Sequence, residues 1–177
     1  MRVISAFLGC SFAAVLAAAL LSVEALAQAP TGGCRLTNAS DGREILRCPN
    51  GVTITAEADA AYRLTDRNRD GNPDVVSLRG KAILVDVDDA RHSGGFQVVT
   101  PQAIAAVRGT QWAVDVAARQ TSVLVVRGAV TVRRPAGGEP VVLNPGEGVD
   151  VTSGTAPLVV RRWPAARVAA LLARLGQ

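Results

Sequence analysis

Residues 107–151 read VRGTQWAVDVAARQTSVLVVRGAVTVRRPAGGEPVVLNPGEGVDV. Short alternating runs such as Val114-Asp115-Val116 and Val130-Thr131-Val132 are broken by Gly, Pro and Asn before any reaches the length of a helix. A period of two marks strands with one buried face, and Gly or Pro marks the turns between them. Three of the breaks recur roughly every 19 residues. Arg108-Gly109 leads into Trp112 to Val116, Arg127-Gly128 into Ala129 to Val132, and Pro145-Gly146 into Gly148 to Val151. Arg79-Gly80 ahead of Ala82 to Val87 is a weaker echo. Such a period fits stacked β-coils in which each Gly lets the chain turn a corner. The alternative is chance recurrence in a Gly- and Val-rich all-β chain.

The same pattern extends in both directions. Further strands are expected at Val52–Ala56, Ala61–Leu64, Val75–Leu78, Ala82–Val87, Gln97–Thr100, Ser122–Val126, Val141–Leu143 and Leu158–Val160. Only the tail departs from it: Pro164 opens a segment in which Val168, Leu171, Leu172 and Leu175 recur at helical spacing, with Gly176 at its end. This amphipathic helix is expected to cap an open end of the stack, or alternatively to dock on a partner or membrane surface. Hydrophobic residues make up 49% of the 177, which supports a packed core, while aromatics are only 3%, so that core rests on small and β-branched side chains. The fold class is therefore all-β, a short β-solenoid or sandwich-like stack of short strands with one C-terminal helix.

At the N-terminus, Met1-Arg2 precedes an apolar run from Val3 to Val23 and the small-residue sequence Ala25-Leu26-Ala27. That order reads as a secretory signal peptide over residues 1–27, cut after Ala27 or Ala29, with an uncleaved anchor as the alternative. Cys10 lies too early in the run to be a lipidation site. Export leaves Cys34 and Cys48 as the remaining cysteines, an even count suited to an oxidising compartment. Residues 28–50 read as a hairpin whose three-residue loop, Ser40 to Gly42, sets Cys34 opposite Cys48 and closes a disulfide. The formal net charge is +4, carried by arginine with Lys81 as the one lysine. Such a balance suits anionic lipid, lipopolysaccharide or nucleic acid, or is an arginine-rich solvated surface. The Phe, Tyr and Trp residues occur only in isolation, so nucleic acid is not expected.

Between Phe96 and Val151 the chain carries Thr100-Pro101, then Val107-Arg108-Gly109-Thr110, then two strands about Gly128, then Leu143-Asn144-Pro145-Gly146-Glu147. In that order these residues resemble the FecR domain, the extracytoplasmic module of an iron-transport regulator family. The resemblance implies an all-β, solenoid-like domain over residues 51–163 that engages other proteins and carries no catalytic residues. Arg108-Gly109-Thr110 reads as a corner, with Gly supplying a permissive backbone and Thr a local hydroxyl bond. Family regulators carry a cytosolic anti-sigma segment and a membrane span ahead of this domain. With only Met1-Arg2 before the apolar run and Gln177 at the end, the expectation is a free periplasmic relative that binds an envelope protein and has no span after cleavage.

Asp66-Arg67-Asn68-Arg69-Asp70-Gly71-Asn72-Pro73-Asp74 is the sharpest local motif. Oxygen donors at Asp66, Asn68, Asp70 and Asp74, the Asn72 carbonyl and a bend at Gly71 resemble a calcium loop between strands. A polar turn whose Asp and Asn bond their own backbone reads equally well. His92 reads as a solvated loop histidine beside Ser93. Asp86, Asp88 and Asp89 read as a charged strand end; a hydrolase would need them, with Asp115, in one groove. The function expected is a non-catalytic, regulatory or envelope-associated interaction module, and the alternative is a calcium-binding structural protein.

Overall fold

The computed structural model describes residues 33–92 and 94–177; the signal segment lies outside the described residues. The first two strands, β1 (Arg35–Asn38) and β2 (Glu44–Arg47), form the expected hairpin. Ala39 N–H donates to the Arg43 carbonyl at 2.8 Å, Gly42 takes φ 83°, and the register pairs Arg35 with Arg47. The next pair along the ladder is Cys34 and Cys48, and they are joined. Closing a loop of this length stabilises the fold by about 3 kcal/mol.

The strands that follow are β3 (Val52–Ala56), β4 (Ala61–Thr65), β5 (Val75–Val87), β6 (Phe96–Val99), β7 (Ile104–Val107), β8 (Gln111–Ala117) and β9 (Gln120–Arg127). β10 (Val130–Arg133), β11 (Val141–Leu143), β12 (Glu147–Thr152) and β13 (Val160–Arg162) complete the sheet, and the helix α1 (Ala165–Arg174) closes the chain. In place of two strands broken at Arg79-Gly80, β5 is one strand of 13 residues. It bends where Lys81 adopts φ 67°. Its first half pairs with β4 and, in parallel, with β6; its second half pairs with β3 and β8. One strand therefore belongs to two layers. Sheet I runs β1-β2-β3-β5-β8-β9-β12-β13, and sheet II runs β4-β5-β6-β7-β10-β11.

The layers face each other across one core. Leu46, Ile54, Ile83, Val85, Trp112, Val114, Val123 and Val149 point inward from sheet I, and Val76, Leu78, Val98, Val130 and Leu143 from sheet II. The recurrent glycines are the places where the chain crosses between layers: β7 to β8 at Gly109, β9 to β10 at Gly128, β11 to β12 at Gly146. Each unit of the repeat is thus a hairpin laid in one layer, β8–β9 in sheet I and β10–β11 in sheet II, so the stack takes the sandwich-like form with antiparallel ladders. At Gly128, φ is 81° and a Cβ would stand 2.7 Å from Thr110 Oγ1 and 2.9 Å from the Gly109 carbonyl. Only Gly satisfies both the backbone and the packing there.

The helix departs from expectation. It lies on the outer face of sheet I and does not cap an open end. Ala82, Leu84, Ala113 and Leu124 point outward from the strands and are buried beneath Trp163, Leu171 and Leu175. The strands of sheet I are apolar on both faces, so that layer needs a cover on each side.

Candidate interaction surface

The motif residues turn out to be makers of turns. Thr100 Oγ1 accepts the Ala103 N–H at 2.8 Å and lies 2.8 Å from Thr121 Oγ1, which donates to Gln102 Oε1 at 2.9 Å. This clamp after β6 holds Pro101 at the surface and starts β7. Val107 enters the core, and Arg108 is exposed. The fully buried Thr110 Oγ1 reaches the carbonyls of Arg108 (3.2 Å) and Ala129 (3.1 Å), tying the Gly109 and Gly128 corners together. In the Pro145-Gly146 turn, Glu147 Oε2 accepts the backbone and side-chain N–H of Asn144 at 2.8 and 3.1 Å, which holds its carboxyl below the ordinary range.

The Asp66 to Asp74 segment is a turn between β4 and β5. Asp66 Oδ1 accepts the Arg69 N–H at 2.7 Å and its Oδ2 the Gly71 N–H at 2.8 Å. Asp70 accepts from the Asn72 N–H at 2.8 Å and from Asn68 Nδ2 at 2.9 Å, which hold its carboxyl below the ordinary range. Asp74 accepts from the Arg67 backbone N–H and Nε, both at 2.9 Å. His92 faces this turn across a hollow of ≈ 520 Å³ and is buried, contrary to the solvated loop expected of it. Its Nδ1 is 3.2 Å from Asn50 Nδ2, and its ring meets Phe96 edge-on at 6.1 Å. The local sequence Arg91-His92-Ser93-Gly94 gave no sign of that cover, which comes from Asn50 and Phe96 at a distance in the chain.

The carboxylates that a hydrolase would need fall in two places. Asp86, Asp88 and Asp89 line one polar groove, where Asp86 pairs with Arg127 at 2.8 Å and Asp88 with Arg91 at 3.4 Å. Asp115 lies instead beneath α1, 2.8 Å from Arg174. Among the described residues no three His, Cys, Asp or Glu side chains are grouped to hold a metal ion.

The two outer faces of the sandwich differ in charge and cover. On sheet I, α1 is held by two arginines, seven residues apart on one side of its apolar stripe. Arg174 donates to Glu57 (2.6 and 3.1 Å) and to Asp115 (2.8 and 3.1 Å), holding the Glu57 carboxyl below its ordinary range. Arg167 donates to Asp150 at 2.6 and 2.9 Å and stacks on Trp163 at 3.5 Å. Burial pushes the Asp150 carboxyl up, but the hydrogen bonds from Arg167 and Ser122 outweigh it and leave a net lowering. Sheet II turns outward two cross-strand rows, Arg63-Ser77-Val99-Ile104-Arg133 and Val75-Gln97-Ala106-Thr131-Val142. No described helix lies over them, and Val142 is 56% exposed.

An all-β sandwich, coupled through one shared strand and crossed at glycine corners, is the class of protein that this architecture defines. Its motif residues hold the turns that join the two layers. The FecR protein family model matches residues 35–131, more than half of the chain, and the chain belongs to that family. The match takes in the disulfide hairpin and stops ahead of the Pro145-Gly146-Glu147 turn. Among solved structures, the chain is similar to two crystal structures of a candidate anti-sigma factor from Parabacteroides distasonis ATCC 8503, at 1.65 and 2.50 Å resolution. Each superposes with a TM-score of 0.58 at 21% identity, over 78% of this chain and 64% of that one. The chain thus spans less than two thirds of that protein's length, and the likeness is one of fold. No curated protein matches the chain. Among the described residues no helix is long and apolar enough to cross a membrane.

Proposed function

We propose that this chain is a periplasmic FecR-type module, exported by its signal segment, that acts in regulation by binding another envelope protein and performs no catalysis. The family match over residues 35–131 carries the reading. The geometry supports it: Thr100, Thr110, Gly128 and Glu147 are spent on holding turns, and Asp86, Asp88 and Asp115 are spent on arginines. The test is expression of the full chain with a C-terminal tag, fractionation, and mass measurement of its N-terminus. The expected product begins near Gln28, sits in the periplasmic fraction, and after crosslinking in cells co-purifies with one protein in stoichiometric amount. Recovery in the cytosol with Met1 intact, or no stoichiometric partner, overturns it.

Calcium binding by the Asp66 to Asp74 turn is the second reading. The observation in its favour is that Asp66, Asn68 and Asp70 converge on one bend at Gly71. Calorimetry with calcium on the mature chain tests it, with Asp70→Ala as the control. Heat in the wild type and none in the variant supports binding; no heat at millimolar calcium ends the reading.

A further inference from the structure

The outer face of sheet II differs from the rest of the surface in one compositional respect. The strands that build it, β4, the first half of β5, β6, β7, β10 and β11, contain no Asp or Glu, while Arg63, Arg79 and Arg133 project from them. The acidic residues of the strands all lie in sheet I: Glu44, Asp86, Asp115, Glu147 and Asp150. Val99, Ile104 and Ala106 occupy the middle of the sheet II face, Val99 and Ile104 between Arg63 at one end of their row and Arg133 at the other, while Val142 lies beyond Arg133 on the edge strand β11. Four strand spacings separate those two arginines, roughly 19 Å. A helix of about 10–12 Å diameter fits between them along the strands.

The molecule already contains a solution to covering such a face. On sheet I an amphipathic helix lays its apolar stripe over Ala82, Leu84, Ala113 and Leu124, and the arginines beside that stripe meet carboxylates of the sheet and its connecting loop. Sheet II presents the opposite polarity, with an apolar strip between cationic rails. From this we infer that the outer face of sheet II docks an amphipathic helical segment of another protein, apolar along one stripe and flanked by Asp or Glu on both sides. The inference rests on the binding-module reading and names the surface and chemistry through which it acts. A second copy offering α1 does not fit, because the charged residues of that helix are all arginines. Single-stranded nucleic acid lacks its stacking platform here: Phe96 is in the core and Tyr62 is bonded to Glu44. The nearby carboxylates Asp66, Asp70 and Asp74 are held within their own turn.

The test uses the full chain in cells, with photoreactive p-benzoylphenylalanine replacing Gln97 or Ile104 on this face, and Arg161 or Ala169 as references on the far side. Crosslinked peptides are sequenced by mass spectrometry. The expected result is a protein adduct at Gln97 and Ile104 whose crosslinked segment has an i, i+3, i+4 apolar stripe with acidic flanks. Combining Arg79→Glu with Arg133→Glu should lower that adduct by at least about tenfold, leaving the thermal midpoint and any reference adduct unchanged. Protein adducts at the reference positions alone overturn the face and leave the binding-module reading standing. No protein adduct at any position removes both. An adduct at the face to lipid, to nucleic acid or to a segment without carboxylates, or one insensitive to the charge reversals, overturns the inference.

Discussion

Replacing Arg174 with Ala measures how firmly α1 is latched to sheet I. The guanidinium makes four hydrogen bonds, two each to Glu57 and Asp115. Exposed ion pairs contribute about 0.2–1 kcal/mol each. Here the carboxylate side chains are only 19% and 24% exposed and each is gripped bidentately, which raises the value, but the guanidinium is 40% exposed, which screens it. The loss on Arg174→Ala is about 1.5 kcal/mol, or roughly 3–6 °C in Tm for a chain of this size. Arg174→Lys keeps the charge without the planar fork and should recover less than about half of it. The penalty depends on pH with a definite sign. Arg174 holds Glu57 below its ordinary value of 4.5, so the Glu57 contribution is whole above that value and is lost as pH falls through the lowered one. Urea unfolding of both proteins at pH 7 and at about pH 3 is the assay. A penalty under about 0.3 kcal/mol at pH 7 would refute the latch, as would an equal penalty at the two pH values.

Gly128→Ala forces a Cβ into Thr110 and the Gly109 carbonyl at positive φ, and should cost about 2–4 kcal/mol in urea unfolding. A loss under about 1 kcal/mol would show that the corner relaxes freely. Tyr62, the one tyrosine of the chain, is half-buried and donates its hydroxyl to Glu44 at 2.7 Å; the burial and that bond push its ionisation above the ordinary value of 10.0. The neutral form is therefore favoured by folding, and that stability is lost only as pH rises. Phenolate absorbance should appear with unfolding and not before it, while Tyr62→Phe should remove the base-induced transition's dependence on this group. Opening the Cys34–Cys48 disulfide with dithiothreitol should lower stability by about 3 kcal/mol while the far-ultraviolet β signal at 25 °C is retained. Complete unfolding on reduction would place the hairpin in the folding core.

Much of this architecture was legible in the chain. The hairpin followed from turn chemistry and counting: a three-residue loop with Gly42 in the left-handed region leaves Cys34 and Cys48 one place for their pairing. The glycine corners were legible too, because small residues with positive φ leave a periodic trace. Three features were hidden. Arg79-Gly80-Lys81 reads as a turn, but Lys81 takes the positive φ and the ladder continues through the bend. Ile104–Val107 does not read as a strand because alanine has low strand propensity; burial of Ala103 and Ala105 behind the Thr100 clamp decides it. The apolar stripe of the helix says only that it packs, and not on which face. The better signal was in Ala82-Ile83-Leu84-Val85 and Val123-Leu124-Val125-Val126, continuous apolar runs that demand cover on both faces. For the candidate surface, the motif residues pointed to corners, and the informative trait was the lack of carboxylates along strands that are scattered in sequence.

The bent strand β5 has a consequence for how the molecule comes apart. Because a single backbone passes from one layer into the other and pairs on both edges in each, there is no seam along which the layers can separate as independent pieces. Pulling one layer away tears the ladder of its neighbour. A load applied to either layer is therefore carried by the whole body until it fails at once.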